Sequence, residues 1–208
     1  MLPSIYPIID STVSEDRITG FAEQLAGAGV QLIQLRLKAT SAAAICAQAR
    51  ALLASLDPRR VRLIVNDRPD IAAIVGAGGV HVGQDDLPVE AARQICGPAL
   101  WVGVSTHNLA QLREADLTSA DYIAVGPIFP TASKGNPDPV VGVEFVRAAR
   151  QLTRKPLVAI GGITAETAEQ VYRAGADSVA VISDLIKAPD LMARVRAYAA
   201  AFDRAHAR

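Results

Sequence analysis

Short runs of apolar and β-branched residues alternate along the chain with longer segments in which Ala and Leu recur at helical spacing. This alternation is typical of βα units built on a parallel sheet. The apolar runs predict eight strands, at Ile5–Ile9, Leu32–Leu35, Arg62–Val65, Gly79–Val82, Trp101–Val104, Tyr122–Val125, Leu157–Ile160 and Ser178–Val181.

The segments between these runs predict helices at Ile18–Ala28, Ser41–Leu56, Val89–Ile95, Leu109–Ala115, Val143–Leu152, Ala165–Ala174 and Leu191–Ala205. Eight strands alternating with helices favour a closed (β/α)8 TIM barrel over an open doubly wound sheet. Because 208 residues are few for this fold, the helices must be short. We expect residues 1–208 to form a single TIM-barrel domain.

Composition and charge narrow the class of protein. Half of the residues are hydrophobic and 20% are charged, which excludes intrinsic disorder. Twenty-one basic residues balance twenty-one acidic ones, so no overall field attracts nucleic acid or an acidic membrane. Any anion site must therefore be built locally.

The two cysteines, Cys46 and Cys96, form no CxxC motif and suit neither a disulfide framework nor a zinc ribbon. The N-terminal residues lack a basic region followed by a long apolar stretch, and no window approaches the ~20 apolar residues of a membrane span. These features predict a cytoplasmic protein. The Ala-rich outer helices leave a homo-oligomer open.

Polar residues follow the predicted strands, where the active sites of such barrels lie. Gln34, Arg36 and Lys38 alternate at the end of the second strand, so their side chains point the same way. Two cations and an amide on one face suit a phosphate ester. The alternative is a solvated strand end.

Two carboxylates follow the next two strands. Asp67 comes after Asn66 at the end of the third strand, and Asp86 follows the fourth. Mg²⁺ takes one or two carboxylates together with waters and substrate phosphate oxygens. The pair therefore predicts a magnesium site, although Asp is also common in turns and as a helix cap. Arg68 and Asp85 are interpreted as solvent-facing or capping neighbours.

The later strands predict a second phosphate site. Ser105 follows the fifth strand, and the long loop Gly126–Gly142 carries Lys134, which can supply a cation to a leaving phosphate. Gly162 and Ser183 follow the seventh and eighth strands, where backbone amides commonly cradle phosphate. The sequence thus indicates a metal-assisted site near strands two to four and an amide cradle near strands six to eight.

Two histidines lie near these strand ends. His81 stands in the fourth strand and is a candidate for lining the site, whereas His107 precedes a helix and is interpreted as structural. No Ser, His and Asp arrangement predicts an acyl-enzyme hydrolase, and neither GxGxxG nor a P-loop occurs.

Seven motifs, QLRLK, NDRPDIA, GVHVGQDDLP, GVSTHN, GPIFPTASKG, IGGIT and AVIS, resemble thiamine phosphate synthases in their order and spacing. The resemblance spans about Tyr6 to Leu185. It implies a (β/α)8 barrel that uses Mg²⁺ to join 4-amino-2-methyl-5-hydroxymethylpyrimidine diphosphate to a thiazole phosphate. Diphosphate leaves, a pyrimidine cation forms, and the thiazole nitrogen captures it without a protein nucleophile.

The same resemblance implies roles for individual residues. Arg36, Lys134 and Ser105 are the expected catalytic residues, with Arg36 and Lys134 on the diphosphate and Ser105 on the pyrimidine. Asp67 and Asp86 are the expected Mg²⁺ ligands. The remaining substrate contacts that the resemblance implies are Gln34, Leu35, Leu37, Lys38 and Asn66 on the pyrimidine diphosphate side, and Thr131, Ala132, Ser133, Gly162, Ile182 and Ser183 on the thiazole phosphate side. His81 is expected to contact substrate from its place in the fourth strand. Leu37 and Ser133 depart from the residues that the family often has there.

Three alternatives remain at this point. A thiazole tautomerase has a similar fold but needs no diphosphate site. A binding protein for thiamine precursors would keep the same residues without catalysis. An aldolase would need a Schiff-base lysine at a strand end, a position that neither Lys38 nor Lys155 matches in its surroundings.

Overall fold

The structure is a computed structural model that describes residues 2–131 and 139–207. Its strands are β1 (Ile5–Asp10), β2 (Leu32–Arg36), β3 (Arg62–Asn66), β4 (Gly79–Val82), β5 (Trp101–Thr106), β6 (Tyr122–Val125), β7 (Leu157–Ile160) and β8 (Ser178–Val181). The helices within the described ranges are α1 (Glu15–Gly27), α2 (Ala42–Ser55), α3 (Pro69–Val75), α4 (Val89–Cys96), α5 (Leu109–Asp116), α6 (Gly142–Leu152), α7 (Ala165–Arg173), α8 (Ser183–Ile186) and α9 (Leu191–His206).

Parallel pairing closes the eight strands into a barrel. Each strand pairs with the next one along the chain, and β8 returns to pair with β1, where Tyr6 lies opposite Ala180. The register between β1 and β2 places Ile8 opposite Gln34. The predicted (β/α)8 barrel is therefore confirmed.

The predicted strands all occur, and β1, β2, β3 and β5 extend one or two residues further into the polar segment that follows. Two helices were not predicted. Helix α3 has seven residues, with Pro69 at its first turn, and α8 is a single turn, so neither is long enough to show an apolar period. Helix α1 begins at Glu15 rather than Ile18, because acidic residues suit the first turn of a helix.

Alternation along the strands separates two apolar layers. Outward-facing side chains pack against the helices in the main core, while inward-facing ones fill the barrel. Tyr6 and Tyr122 are the largest buried side chains of the inner layer. On the same inner face, nearer the carboxyl ends of the strands, stand the smaller Ala124 and Ala180, which leave space for a cavity.

Two arginine–aspartate ion pairs stabilise the end of the barrel at which the strands begin. Arg93 binds the Asp121 carboxylate at 2.5 Å, and the same carboxylate accepts a hydrogen bond from the backbone of β5. Arg150 repeats this arrangement with Asp177, whose carboxylate accepts from the backbone of β7. This face stabilises the fold, which agrees with the usual division of labour in TIM barrels.

None of the helices in residues 2–131 and 139–207 combines the length and the apolar character that a membrane crossing needs.

Candidate active site

A cavity of about 430 Å³ lies at the carboxyl ends of the strands. Most of the site residues predicted from the sequence line it, although they come from seven strand ends and the loops that follow them. These are Gln34, Arg36, Lys38, Asn66, Asp67, His81, Asp86, Ser105, Thr131, Gly162, Ile182 and Ser183.

Two groups of predicted residues do not line this cavity. The side chains of Leu35 and Leu37 are buried in the core between strands and helices, because they alternate with inward-facing neighbours. Any ligand contact at these two positions therefore falls to the backbone. Ala132, Ser133 and Lys134 lie outside the described residues.

Sequence reasoning missed several residues that line the cavity. Tyr6 lies on β1, for which no polar strand end was considered. Gln84 donates a hydrogen bond to the backbone oxygen of Ser105 at 2.6 Å, and Gln111 lines the wall beside it. Asp85 is exposed, as expected, but also lines the mouth. His107, expected to be structural, lines the cavity and makes a 2.7 Å contact from Nδ1 to the Gly126 oxygen.

Arg36 brings an uncompensated positive charge to the cavity. It ends β2, two residues after Gln34, and lines the wall with a half-buried side chain. Among the described residues it has no ion-pair partner, so its guanidinium is available to an anion. Its planar fork of donors suits phosphate oxygens in particular.

Two carboxylates, Asp67 and Asp86, converge in the same cavity as Arg36. Asp86 folds back over its own turn, where it accepts a 2.7 Å hydrogen bond from the Gly83 amide rather than capping α4. Burial raises the pKa of Asp86, and its hydrogen bond with Asp67 raises that pKa further, against the lowering effect of Gly83. Lys38 forms an ion pair with Asp67. The Lys38 ammonium thus offsets part of the negative charge that the two carboxylates bring to the cavity.

This donor set fits Mg²⁺. Hard dications take carboxylate oxygens, and Mg²⁺ keeps several waters and phosphate oxygens beside one or two protein carboxylates. No third His, Cys, Asp or Glu joins such a group within residues 2–131 and 139–207, so the chain offers two carboxylates there.

The backbone at Asp67 is unusual. Asp67 has a φ of 60°, in the left-handed region, and its amide donates a 2.8 Å hydrogen bond to the His81 oxygen on the neighbouring strand. Asp and Asn tolerate this conformation better than other non-glycine residues. The turn therefore directs a carboxylate into the cavity immediately after β3 ends at Asn66.

The floor of the cavity is polar but uncharged. His81 is buried between Tyr122 and Ser105, and its burial lowers the pKa of the imidazole to about 4. Burial likewise raises the pKa values of Tyr6 and Tyr122 above the usual phenol range. The imidazole is therefore neutral and both phenols are protonated at pH 7.

The side of the cavity formed by β6, β7 and β8 is apolar. Ala124, Val158, Ile160, Ala180 and Ile182 line it. These five residues define an apolar slot, which suits an uncharged part of a ligand.

Glycine shapes the rim next to this slot. Gly162 has a φ of 63°, and a Cβ atom there would collide with Phe129 and the Pro130 oxygen. The β7–α7 turn can therefore pack closely against the loop after β6 only without a side chain. Across the rim, the Asp184 carboxylate accepts hydrogen bonds from Tyr198 at 2.7 Å and from the Ala165 amide at 3.3 Å, which ties the turns after β7 and β8 together.

Comparison with known proteins finds a matching family model and similar proteins. A family model described as Thiamine monophosphate synthase matches residues 5–185. The thiamine-phosphate synthase of Koribacter versatilis is 53% identical over 193 residues, covering 90% of this chain and 91% of that protein. That of Azorhizobium caulinodans is 41% identical over 194 residues, covering 93% and 92%. The structure of thiamine phosphate pyrophosphorylase from Pyrococcus furiosus matches with a TM-score of 0.83 at 28% identity, covering 98% of this chain and 97% of that one.

Proposed function

The chain belongs to the thiamine monophosphate synthase family. From this membership we propose which residues of the cavity bind the two substrates and the metal ion. The enzyme is a transferase that joins 4-amino-2-methyl-5-hydroxymethylpyrimidine diphosphate to a thiazole phosphate, giving thiamine phosphate and diphosphate. The observation that carries the proposal is the convergence of Arg36, Lys38, Asp67 and Asp86 on one side of a cavity whose other side is apolar.

Arg36 and Lys38 bind the diphosphate in this proposal. Charge grows on the diphosphate as its bond to the pyrimidine methylene breaks, and nearby cations stabilise that charge in a partly enclosed site. Lys134 supplies a third cation; it lies outside the described residues, and its role comes from the family resemblance. Gln34, Asn66 and Ser105 hold the pyrimidine ring.

Asp67 and Asp86 would hold Mg²⁺. The ion supplies Lewis-acid neutralisation of the phosphate oxygens when bound. The ion pair between Lys38 and Asp67 supports this assignment. It shows that the Asp67 carboxylate attracts a positive charge, here the Lys38 ammonium.

The thiazole phosphate lies on the opposite side of the cavity. Gly162, Ile182 and Ser183 surround its phosphate together with Thr131, and the family resemblance adds Ala132 and Ser133. The apolar slot holds the thiazole ring so that its nitrogen faces the pyrimidine methylene. Positioning of this kind replaces a protein nucleophile, since the aminopyrimidine itself delocalises the positive charge left by diphosphate.

The alternatives are less well supported. A thiazole tautomerase would not need the cations and carboxylates on the β2–β4 side. A Schiff-base aldolase would need an unpaired lysine in the cavity, whereas Lys38 there is ion-paired with Asp67. Lys155 donates to the backbone oxygens of Thr118 and Ala120 at the far end of the barrel. A cytoplasmic location is supported by the free thiols of Cys46 and Cys96.

Diphosphate release by the purified protein tests this function. We expect release only when the pyrimidine diphosphate, the thiazole phosphate and Mg²⁺ are all present. Lys134→Ala is expected to lower the rate by roughly 10²-fold, because one charge contact to the leaving group is lost. Binding of both substrates without release would instead identify a carrier, and isomerisation of the thiazole phosphate alone would identify a tautomerase.

Mg²⁺ is also expected to stabilise the protein in the absence of substrates. A ligand at 100 times its dissociation constant stabilises the native state by about 2.7 kcal/mol, which corresponds to a rise in Tm of roughly 5–10 °C for a domain of this size. Thermal unfolding with and without Mg²⁺ measures the shift. An equal shift in an Asp67→Asn/Asp86→Asn variant would contradict the proposed ligands.

A further inference from the structure

Five polar side chains, four of which line the cavity while Tyr122 lies beneath it, form a continuous hydrogen-bonded chain. Gln34 Nε2 donates to Tyr6 Oη at 2.9 Å, and the hydroxyls of Tyr6 and Tyr122 lie 2.9 Å apart. Tyr122 Oη lies 3.0 Å from His81 Nδ1, and His81 Nε2 lies 2.8 Å from Ser105 Oγ. The chain thus connects an amide on β2 to the hydroxyl at the end of β5.

The number of hydrogens on each polar group determines which group donates and which accepts at every step of this chain. The Gln34 amide nitrogen can only donate, and within the described residues the Tyr6 hydroxyl has no hydrogen-bond partner except Gln34 and Tyr122. The Tyr6 hydrogen must therefore go to Tyr122, because a buried donor without an acceptor is strongly disfavoured. Tyr122 then accepts from Tyr6 and has its own hydrogen left for His81.

The other tautomer of His81 and its imidazolium form both leave the Tyr6 hydroxyl hydrogen without an acceptor. If His81 Nδ1 carried a hydrogen, either in the other tautomer or in an imidazolium, it would donate to Tyr122. Tyr122 would then direct its hydrogen to Tyr6, and the Tyr6 hydrogen would have no acceptor although that side chain is only 1% exposed.

We propose that this chain fixes His81 as the Nε2–H tautomer, which donates to Ser105 Oγ and leaves the Ser105 hydroxyl hydrogen to point into the cavity. Tyr6 and Tyr122 are then positioning residues that act through His81. Resting on the proposed function, this inference assigns the pyrimidine atom opposite Ser105 as a hydrogen-bond acceptor, a ring nitrogen rather than the exocyclic amino group.

The rings that carry the chain are held in place by packing. The His81 and Tyr122 rings are stacked with their centroids 5.5 Å apart, and Tyr6 meets Tyr122 edge-on at 5.9 Å. Trp101 packs against a further edge of Tyr122 at 6.5 Å. Buried rings held on several sides cannot rotate to exchange partners, so the direction set at Gln34 extends to Ser105.

Nitrogen NMR of ¹⁵N-histidine-labelled full-length protein at pH 7 tests the tautomer without any substrate. His81→Asn identifies the signals of His81 among the three histidines. We expect a protonated Nε2 and an unprotonated Nδ1 in the wild type, and loss of this single tautomer in Tyr122→Phe. A protonated Nδ1 in the wild type, or an unchanged tautomer in Tyr122→Phe, would overturn the proposal.

The matched control is Tyr172→Phe. The Tyr172 hydroxyl donates to the Ser4 oxygen at 2.9 Å, outside the chain, so this variant removes the hydroxyl of a buried tyrosine without breaking any bond of the chain. We expect the His81 tautomer to be the same as in the wild type. A shift as large as that in Tyr122→Phe would indicate a general effect of loosened packing and would also overturn the proposal.

Binding of the pyrimidine diphosphate, measured by calorimetry without the second substrate, tests the consequence. We expect Tyr122→Phe to weaken binding about 5- to 10-fold, the effect of one hydrogen bond. Ser105→Ala should weaken it at least as much, and the double variant no further, because Tyr122 acts through Ser105. Additive losses would refute a positioning role, whereas absence of binding by the wild type would refute the proposed function and leave the NMR result to stand alone.

Discussion

Replacing Asp67 with asparagine is expected to lower the rate of diphosphate release by roughly 10²- to 10³-fold at a fixed Mg²⁺ concentration. The amide keeps the size of the side chain and tolerates the left-handed backbone of this turn, where φ is 60°. It lacks the negative charge that would hold the metal against Asp86. The effect should therefore arise from lost charge rather than from a misfolded turn.

Asp57→Asn is the matched control. Asp57 lies in the turn before β3, at the opposite end of the barrel, where it pairs with Arg59 at 3.3 Å. We expect this variant to release diphosphate at the wild-type rate. Titration with Mg²⁺ distinguishes the causes, since Asp67→Asn should need a higher concentration for half-maximal activity. Wild-type activity and wild-type metal dependence in Asp67→Asn would exclude Asp67 as a ligand.

Gly103→Ala is expected to lower the free energy of unfolding by about 3 kcal/mol, a large effect for one methyl group. A Cβ atom at this position on β5 would overlap the ring and hydroxyl of Tyr122. Tyr122 is fully buried and packs against Tyr6 and Trp101, so its ring has no free space into which to move. Chemical denaturation of the variant measures the loss.

Gly20→Ala makes the same chemical change where no atom lies in the way. Gly20 is in α1, and an added Cβ there meets nothing within 4 Å. We expect it to raise the free energy of unfolding by about 0.5–1 kcal/mol, because alanine favours a helix. A Gly103→Ala/Tyr122→Leu double variant should recover part of the loss seen in Gly103→Ala. If the two changes were additive, the overlap with Tyr122 would not be the cause.

The fold could be predicted from the sequence because the patterns that indicate strands and helices are local. Apolar β-branched runs and helical spacing of Ala and Leu are properties of five to fifteen consecutive residues, and they sufficed to predict all eight strands. Elements too short to show a period, α3 and α8, could not be predicted in this way. Helix α3 is bounded only by Pro69 at its first turn and Gly76 at its C-terminal cap, and α8 is a single turn after β8.

The site could be predicted in part for a related reason. Carboxyl ends of parallel strands meet at one end of a barrel, so polar residues such as Arg36, Asp67 and Ser105 were expected together before any distance was known. Alternation also explains why Leu35 and Leu37 do not face the cavity. Once the Gln34 side chain is known to face the cavity, its alternating neighbours Leu35 and Leu37 must face the helices.

What the sequence by itself determined is the eightfold βα alternation, the polar strand ends and the family that their motifs resemble. The tertiary structure alone decided the partners: Tyr6 meets Tyr122 across 116 residues of chain, Lys38 pairs with Asp67, and Asp86 folds back onto the Gly83 amide. Periodicity along a chain records which face of an element is buried. Hydrogen-bond partners depend on the register and closure of the barrel, which bring β1 beside β8 and the inward-facing side chains within reach of one another.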